Sequence, residues 1–404
     1  MIKMLLSTAA LLSLLPLILA APSGEPLNKR APLLQARGGK AIPGQYIVKF
    51  KDGAADTVLT AAVGKLKTNH VYKGAFKGFA GSLDAASLDE IRKLPDVEYV
   101  EEDAVVTILD GETSTKTGSA PRAIVSQLNA PWNLARISSH TPGSTTYKYD
   151  STAGAGTCAY VLGTGIQIAH PQFGGGAVWG ANFADTTNTD GNGHGTAIAG
   201  IIRSTTYGVT KQAKLVAVKV LGASGSGTTS GIISGMNFVG TDYPTRGCPN
   251  GVVAALTFGG GHSNAVNAAA RALVQSGIFV ATGAGSANAL IATSPADEPL
   301  VCTVGASSAG DVAASYNDYG PLLDIYAPGS NILTTWINSG TNTLSGTTFA
   351  GAHIAGLGAY LLGLPSTLSG TTLCGYIQSI ATAGVLTGVP PNTVNLLAYN
   401  GWDL

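Results

Sequence analysis

Two rhythms of apolar and polar positions run along this chain. Near the start, "GQYIVKFK" alternates apolar with polar residues, as a strand with one buried face does. "AASLDEIRKLPDVEYVEEDAVVTI" then gives a short helical pattern, a proline break and a second alternating strand, which predicts a small α+β domain. Past residue 124 the rhythm changes. "AYVLGTGI", "LVAVKVL", "GVVAALTFGGG" and "GIFVATGAG" are continuous apolar runs, as strands buried on both faces require. Between or after them, "HGTAIAGIIRS", "GIISGMNFVG" and "AVNAAARALVQSG" suit helices. The prediction is an α/β fold: a doubly wound, mostly parallel sheet flanked by helices, preceded by the small α+β domain. Working residues in such folds sit at the carboxyl ends of strands and the starts of helices.

Composition adds boundaries to this picture. The first twenty residues, "MIKMLLSTAALLSLLPLILA", carry one early lysine, an apolar stretch and then small residues, the pattern of a secretory signal peptide over 1–20. The mature protein is therefore expected outside the cell, soluble and without a membrane span. Residues 21–43 are rich in Pro, Gly and basic residues and read as a processed or flexible leader with a dibasic pair at Lys29–Arg30. The small domain is assigned to 44–108, an exposed linker to 109–124 and the large domain to 125–404. Residues 1–124 hold 28 of the Lys, Arg, Asp and Glu residues and 125–404 hold 18, with a net charge of zero. No basic face is available for nucleic acid. All four cysteines, Cys158, Cys248, Cys302 and Cys374, lie in the large domain. An even count in an oxidising compartment predicts two disulfides, with three connectivities open.

Six ordered segments carry a family resemblance: "DGNGHGTAIAGII", "LVAVKVLGASGSG", "GVVAALTFGGG", "SPADEPLVCTVGAS", "SGTTFAGAHIAG" and "TVNLLAYN". Together they resemble subtilisin-like serine proteases of the fungal proteinase K group, and residues 44–108 resemble that family's inhibitor-like propeptide. The resemblance implies disulfides Cys158–Cys248 and Cys302–Cys374. It implies one structural Ca²⁺ held by carbonyls of Pro299 and Val301 and by the Asp324 carboxylate, while a second, weaker site has Val385 where its aspartate would stand. It also implies a substrate groove edged by Ser224, Gly225, Ser226 and Gly227 on one side and Thr257, Phe258 and Gly259 on the other. An extended peptide would add there as a strand, and the chain's own propeptide would be the first occupant. A monomer is expected.

The catalytic positions depart from the family pattern. Such enzymes need a serine nucleophile, a histidine base, an aspartate orienting the base and donors for the oxyanion. His194, in "GNGHGT", matches the base. Gly163 stands at the aspartate position and carries no carboxylate; Asp185 and Asp190 are the nearest carboxylates in sequence. Thr348 stands at the serine position, keeping a hydroxyl but adding a methyl that narrows χ1, and it also reads as an ordinary helix N-cap. Being internal, it has no terminal amine to serve as its base. Ser286 stands at the oxyanion asparagine position, with Asn288 two residues on. In subtilisin, loss of nucleophile or base costs on the order of a million-fold in turnover. The resulting expectation is a secreted homologue, catalytically impaired or inactive, that binds peptide or inhibitor. The alternative is a functional serine-type endopeptidase using Thr348 as nucleophile. Self-cleavage of the propeptide before Val125 would need the same altered site.

Overall fold

The computed structural model describes residues 30–36, 40–64, 66–74, 76–107, 124–364 and 368–404, and in it the two rhythms become two sheets. The signal segment 1–20, the leader as far as Lys29 and nearly all of the linker lie outside the described residues. In the small domain, β1 (Ala41–Phe50), α1 (Asp56–Val63), β2 (Lys67–Lys73), β3 (Lys77–Ser82), α2 (Ala85–Lys93) and β4 (Val97–Thr107) follow one another. β1 lies between β3 and β4, antiparallel to both, and β2 flanks β3. Val48, Phe50, Leu59, Phe79, Ile91 and Val100 form its own core, whereas Ile47, Tyr72, Phe76, Tyr99 and Val106 join the core of the large domain. Part of the expected leader is folded as well: Leu33–Leu34 pairs in parallel with β4.

In the large domain the continuous apolar runs are β5 (Cys158–Gly163), β7 (Lys214–Lys219), β9 (Val252–Leu256) and β10 (Phe279–Gly283); β6 (Ala177–Asn182), the short β8 (Ser226–Thr228), β11 (Cys302–Ser307) and β12 (Ile325–Pro328) complete the strands used below. The main sheet runs β6-β7-β5-β9-β10-β11-β12 and then Leu396–Leu397 and Thr382–Ala383; only the last pair is antiparallel. Helices α3 (His194–Ile202) and α6 (Thr347–Leu362) pack on one face, α4 (Thr229–Asp242) and α5 (Asn264–Gln275) on the other. Every residue of α6 is buried, which its apolar composition on all sides requires. From β5 the chain goes out to β6 at the sheet edge, returns to β7 beside β5, then crosses to β9 on the other side of β5. That reversal opens a crevice at the carboxyl end of β5, at Gly163.

The disulfides are Cys158–Cys248 and Cys302–Cys374, with Cα separations of 5.6 and 5.7 Å. The first ties the start of β5 to the segment before β9, and the second ties the start of β11 to the helix Leu373–Ile380.

The two domains share hydrogen bonds as well as core. β4 pairs antiparallel with β8, Thr107 opposite Ser226, Val106 opposite Gly227 and Val105 opposite Thr228. Two carboxylates on the same side of β4 cap large-domain helices. Glu101 Oε2 accepts from Ala265 N at the start of α5 (3.0 Å), and Asp103 accepts from Ser230 N and Oγ at the start of α4 (3.1 and 2.5 Å). Each satisfies an orphan helix N–H and faces the positive end of a helix dipole. Burial pushes both carboxyl groups up, opposed by the hydrogen bonds they accept.

Candidate active site

His194 is the first residue of α3, preceded by Gly193 in the left-handed region (φ 109°). A Cβ on residue 193 would collide with the Trp336 indole, so only glycine permits this entry into the helix. Asp190 organises the turn before it: its Oδ1 accepts from Thr164 Oγ1, Asn192 N and Gly193 N at 2.8–3.0 Å, its Oδ2 from Thr196 N and Oγ1. Asp185 accepts from Asn182 and Thr187 and pairs with Lys219 at 3.1 Å. The two carboxylates nearest in sequence are thus engaged in loop geometry.

Across the crevice, His194 Nε2 meets Thr348 Oγ1 at 3.2 Å, both residues buried, with the imidazole tilted against the Phe349 ring. The N-cap reading of Thr348 needs correction. Gly346 is the cap residue and Thr348 is the second residue of α6. The neighbouring hydroxyl, Thr347 Oγ1, accepts from Gly285 N (3.1 Å) and ties the helix start to the loop that carries Ser286. That loop follows β10, and its next asparagine, Asn288, is exposed with φ 53°, its N–H donating to Tyr316 O.

Three features of the site were not read from the sequence. Asp318 underlies the Ser286 loop, its Oδ1 accepting from Ala287 N and Ala289 N (2.9 and 3.0 Å), so close to Gly285 that any side chain there would collide with it. Burial raises the Asp318 carboxyl, against the two hydrogen bonds it accepts. Second, a Cβ on Gly163 would stand 2.7 Å from Thr257 Oγ1, which donates to Leu162 O (2.8 Å). The Thr257 hydroxyl therefore intrudes on the space where a side chain at 163 would begin. Third, Trp336 belongs to the hairpin Ile332–Trp336/Gly340–Leu344, fastened to α3 by Thr334 and Thr335 hydroxyls on Ala197 O and Thr196 O. A serine or threonine on a strand carries no local sign that it will meet a particular helix carbonyl.

The groove residues fall on its two walls. Ser226 and Gly227 lie in β8 against the propeptide strand, while Ser224 and Gly225 form the turn before it, Gly225 at φ 75°. Thr257, Phe258 and Gly259 follow β9, and Val106 of the propeptide lines a small cavity together with Ile232, Phe258, Gly260 and Val266. At the Asp324 position, Oδ2 accepts from Thr303 N (2.8 Å) and Gln378 donates to the main-chain oxygen (2.9 Å). Burial pushes the Asp324 carboxyl up to about 6, against those bonds. Cys302 and Cys374 lie beside it, but their sulfurs are spent in a disulfide, so the donors there are oxygens, which suits Ca²⁺.

A histidine against a hydroxyl at a helix start, at the topological switch of a parallel sheet and beside a strand paired with the small domain, is the placement that a serine-hydrolase type of site uses. The subtilase family matches residues 154–396 and the peptidase inhibitor I9 family matches residues 45–109. The chain is similar to a cuticle-degrading protease of Metarhizium anisopliae, 50% identical over 399 residues, covering 97% of this chain and 99% of that protein. It is similar to proteinase R of Parengyodontium album, 48% identical over 399 residues, covering 97% and 98%. A crystal structure of a cold adapted subtilisin-like serine proteinase superposes with TM-score 0.64 at 38% identity, covering 67% of this chain and 98% of that one. The chain belongs to the subtilase family, with an I9-type propeptide. Its relatives are named as proteases, which favours the proteolytic reading over the expected inactivity.

Proposed function

We propose that this chain is a secreted subtilisin-like endopeptidase whose groove takes an extended peptide as an added strand and whose hydrolytic step runs slowly through Thr348 and His194. The contact of His194 Nε2 with Thr348 Oγ1 at 3.2 Å carries this reading. His194 removes the hydroxyl proton as Oγ1 attacks the peptide carbonyl, and returns it to the departing amine. A water molecule, activated by the same imidazole, then releases the acyl group from Thr348. Family membership and the relatives' names support proteolysis; the residues at 163, 348 and 286 support low turnover. Losing the orienting carboxylate costs about ten thousand-fold in the trypsin-type triad. Losing an oxyanion donor costs about a hundred- to thousand-fold more. Binding without turnover is the second reading, favoured by Gly163 and by the Thr257 hydroxyl that takes up space beside it. Hydrolysis of a peptide substrate by the purified protein, compared with His194→Ala, separates the two: turnover lost in that variant supports the first, and identical traces support the second.

Secretion is supported by the leader pattern and the two disulfides. A Ca²⁺ ion held by Asp324 with the carbonyls of Pro299 and Val301 would give that buried carboxylate a countercharge, beside the hydrogen bonds it accepts from Thr303 N and Gln378 among the described residues. The occupant of the groove in this chain is the propeptide strand ending at Thr107. Its removal requires a cut near Val125, and a slow site makes that cut slow.

A further inference from the structure

The residues just after the dibasic pair are built into the propeptide. Ala31 is 6% exposed. Its N–H donates to Arg92 O at 2.7 Å and its carbonyl accepts from Arg92 Nε at 2.8 Å, so the backbone is held from both sides. Pro32 O accepts from Val100 N (2.9 Å), Leu33 and Leu34 pair with Val100 and Glu101, and Ala36 N donates to Glu102 Oε2 (3.2 Å). The Arg30 guanidinium lies 3.1 Å from Asp89 on α2. A protease specific for paired basic residues needs the opposite: an arginine side chain free to enter its pocket and an extended, unbonded segment on both sides of the cut.

We propose that Arg30–Ala31 is a processing bond open to such a protease only before the propeptide folds, and that folding withdraws it. Hydrolysis adds one water, leaving a carboxylate on Arg30 and an ammonium on Ala31. After folding, that ammonium stands where the Ala31 N–H already donates to Arg92 O, so the new end remains docked, while Arg30 and its contact with Asp89 go with the released fragment. The inference does not depend on whether Thr348 turns over, since the scissile bond and its protection lie wholly within the propeptide.

The test is cleavage of the purified full chain carrying residues 21–404 by a trypsin-type protease, scored by mass for the new end at Ala31. The native protein is expected to be cut there at least tenfold more slowly than the same chain in urea concentrations that unfold it but spare the protease. Asp89→Ala, which frees Arg30, is expected to raise the native rate about two- to fivefold, the range of one exposed ion pair, with no change in the unfolded rate. Equal native and unfolded rates at this bond would overturn the withdrawal. N-terminal sequencing of the material secreted by the natural host supplies the other arm. An end at Ala31, on the intact chain or the released propeptide, supports processing before folding, and an end upstream of Lys29 overturns it.

Discussion

On the reading proposed above, the groove and the catalytic end of the same cleft have diverged. At the groove, the propeptide pairs its strand with Ser226–Thr228 and places Asp103 and Glu101 on the helix starts at Ser230 and Ala265. At the other end, that reading has Gly163, Thr348 and Ser286 standing where the family's chemistry places aspartate, serine and asparagine. Binding rests on backbone geometry, which many sequences can supply. Turnover rests on particular atoms at particular points, where one changed side chain removes the function. The proposed slow turnover would then leave the first intact while reducing the second.

The largest effect should come from restoring those atoms. The triple reversion Gly163→Asp, Thr348→Ser and Ser286→Asn should raise kcat/KM on a peptide substrate at least a thousand-fold, with single reversions giving little, because triad members act as a unit. Thr257→Ala added to it should help further, since the Thr257 hydroxyl lies 2.7 Å from the Cβ that any side chain at position 163 requires. If Thr348→Ser alone gives strong activity, the weight placed on Gly163 is wrong. Next in size are the disulfides, which close loops of 90 and 72 residues. Replacing either pair by alanine should cost about 3–5 kcal/mol in denaturant unfolding, and thiol titration of the unreduced, unfolded chain should find none.

A pH effect follows from Asp324. Its carboxyl, at about 6 in the fold, binds a proton more tightly than in the unfolded chain. In chelator, stability should therefore fall as pH rises from about 4 to about 6, by up to about 3 kcal/mol. Saturating Ca²⁺ should flatten that slope and Asp324→Asn should abolish it. A melting temperature that ignores both chelator and pH would remove Asp324 from any metal site. The smallest effects belong to the caps: Glu101→Gln and Asp103→Asn should each weaken the propeptide contact by about 1 kcal/mol, read as faster exchange of the Ser230 and Ala265 amides.

What could be read in advance divides along the same line. The sheet was legible because strands buried on both faces, such as Val252–Leu256, must be apolar throughout. His194 was legible because its glycine-flanked turn is so specific. Glu101 and Asp103 were not singled out. Acids at i and i+2 on a strand otherwise alternating inward were the available signal, and only a partner helix start explains them. The Leu33–Leu34 pairing escaped notice because two residues carry no periodicity. The second reading of Thr348, as a helix N-cap beside its place at the serine position, rests on the preference of hydroxyls for caps, whereas Gly346 holds that position. Asp318 and Thr257 act through contacts across loops distant in sequence, which no local pattern announces.

One consequence of the strand shared between β4 and β8 concerns solubility. Whenever the propeptide departs, Ser226–Thr228 loses its pairing with β4 and presents unpaired N–H and C=O groups, the kind of surface on which strands of other chains can add. Three residues with a glycine at their centre offer too little length and too little apolar contact to template a growing sheet. Such a short strand should accept one guest strand without offering a second surface for the next, and the exposed site should then resist stacking.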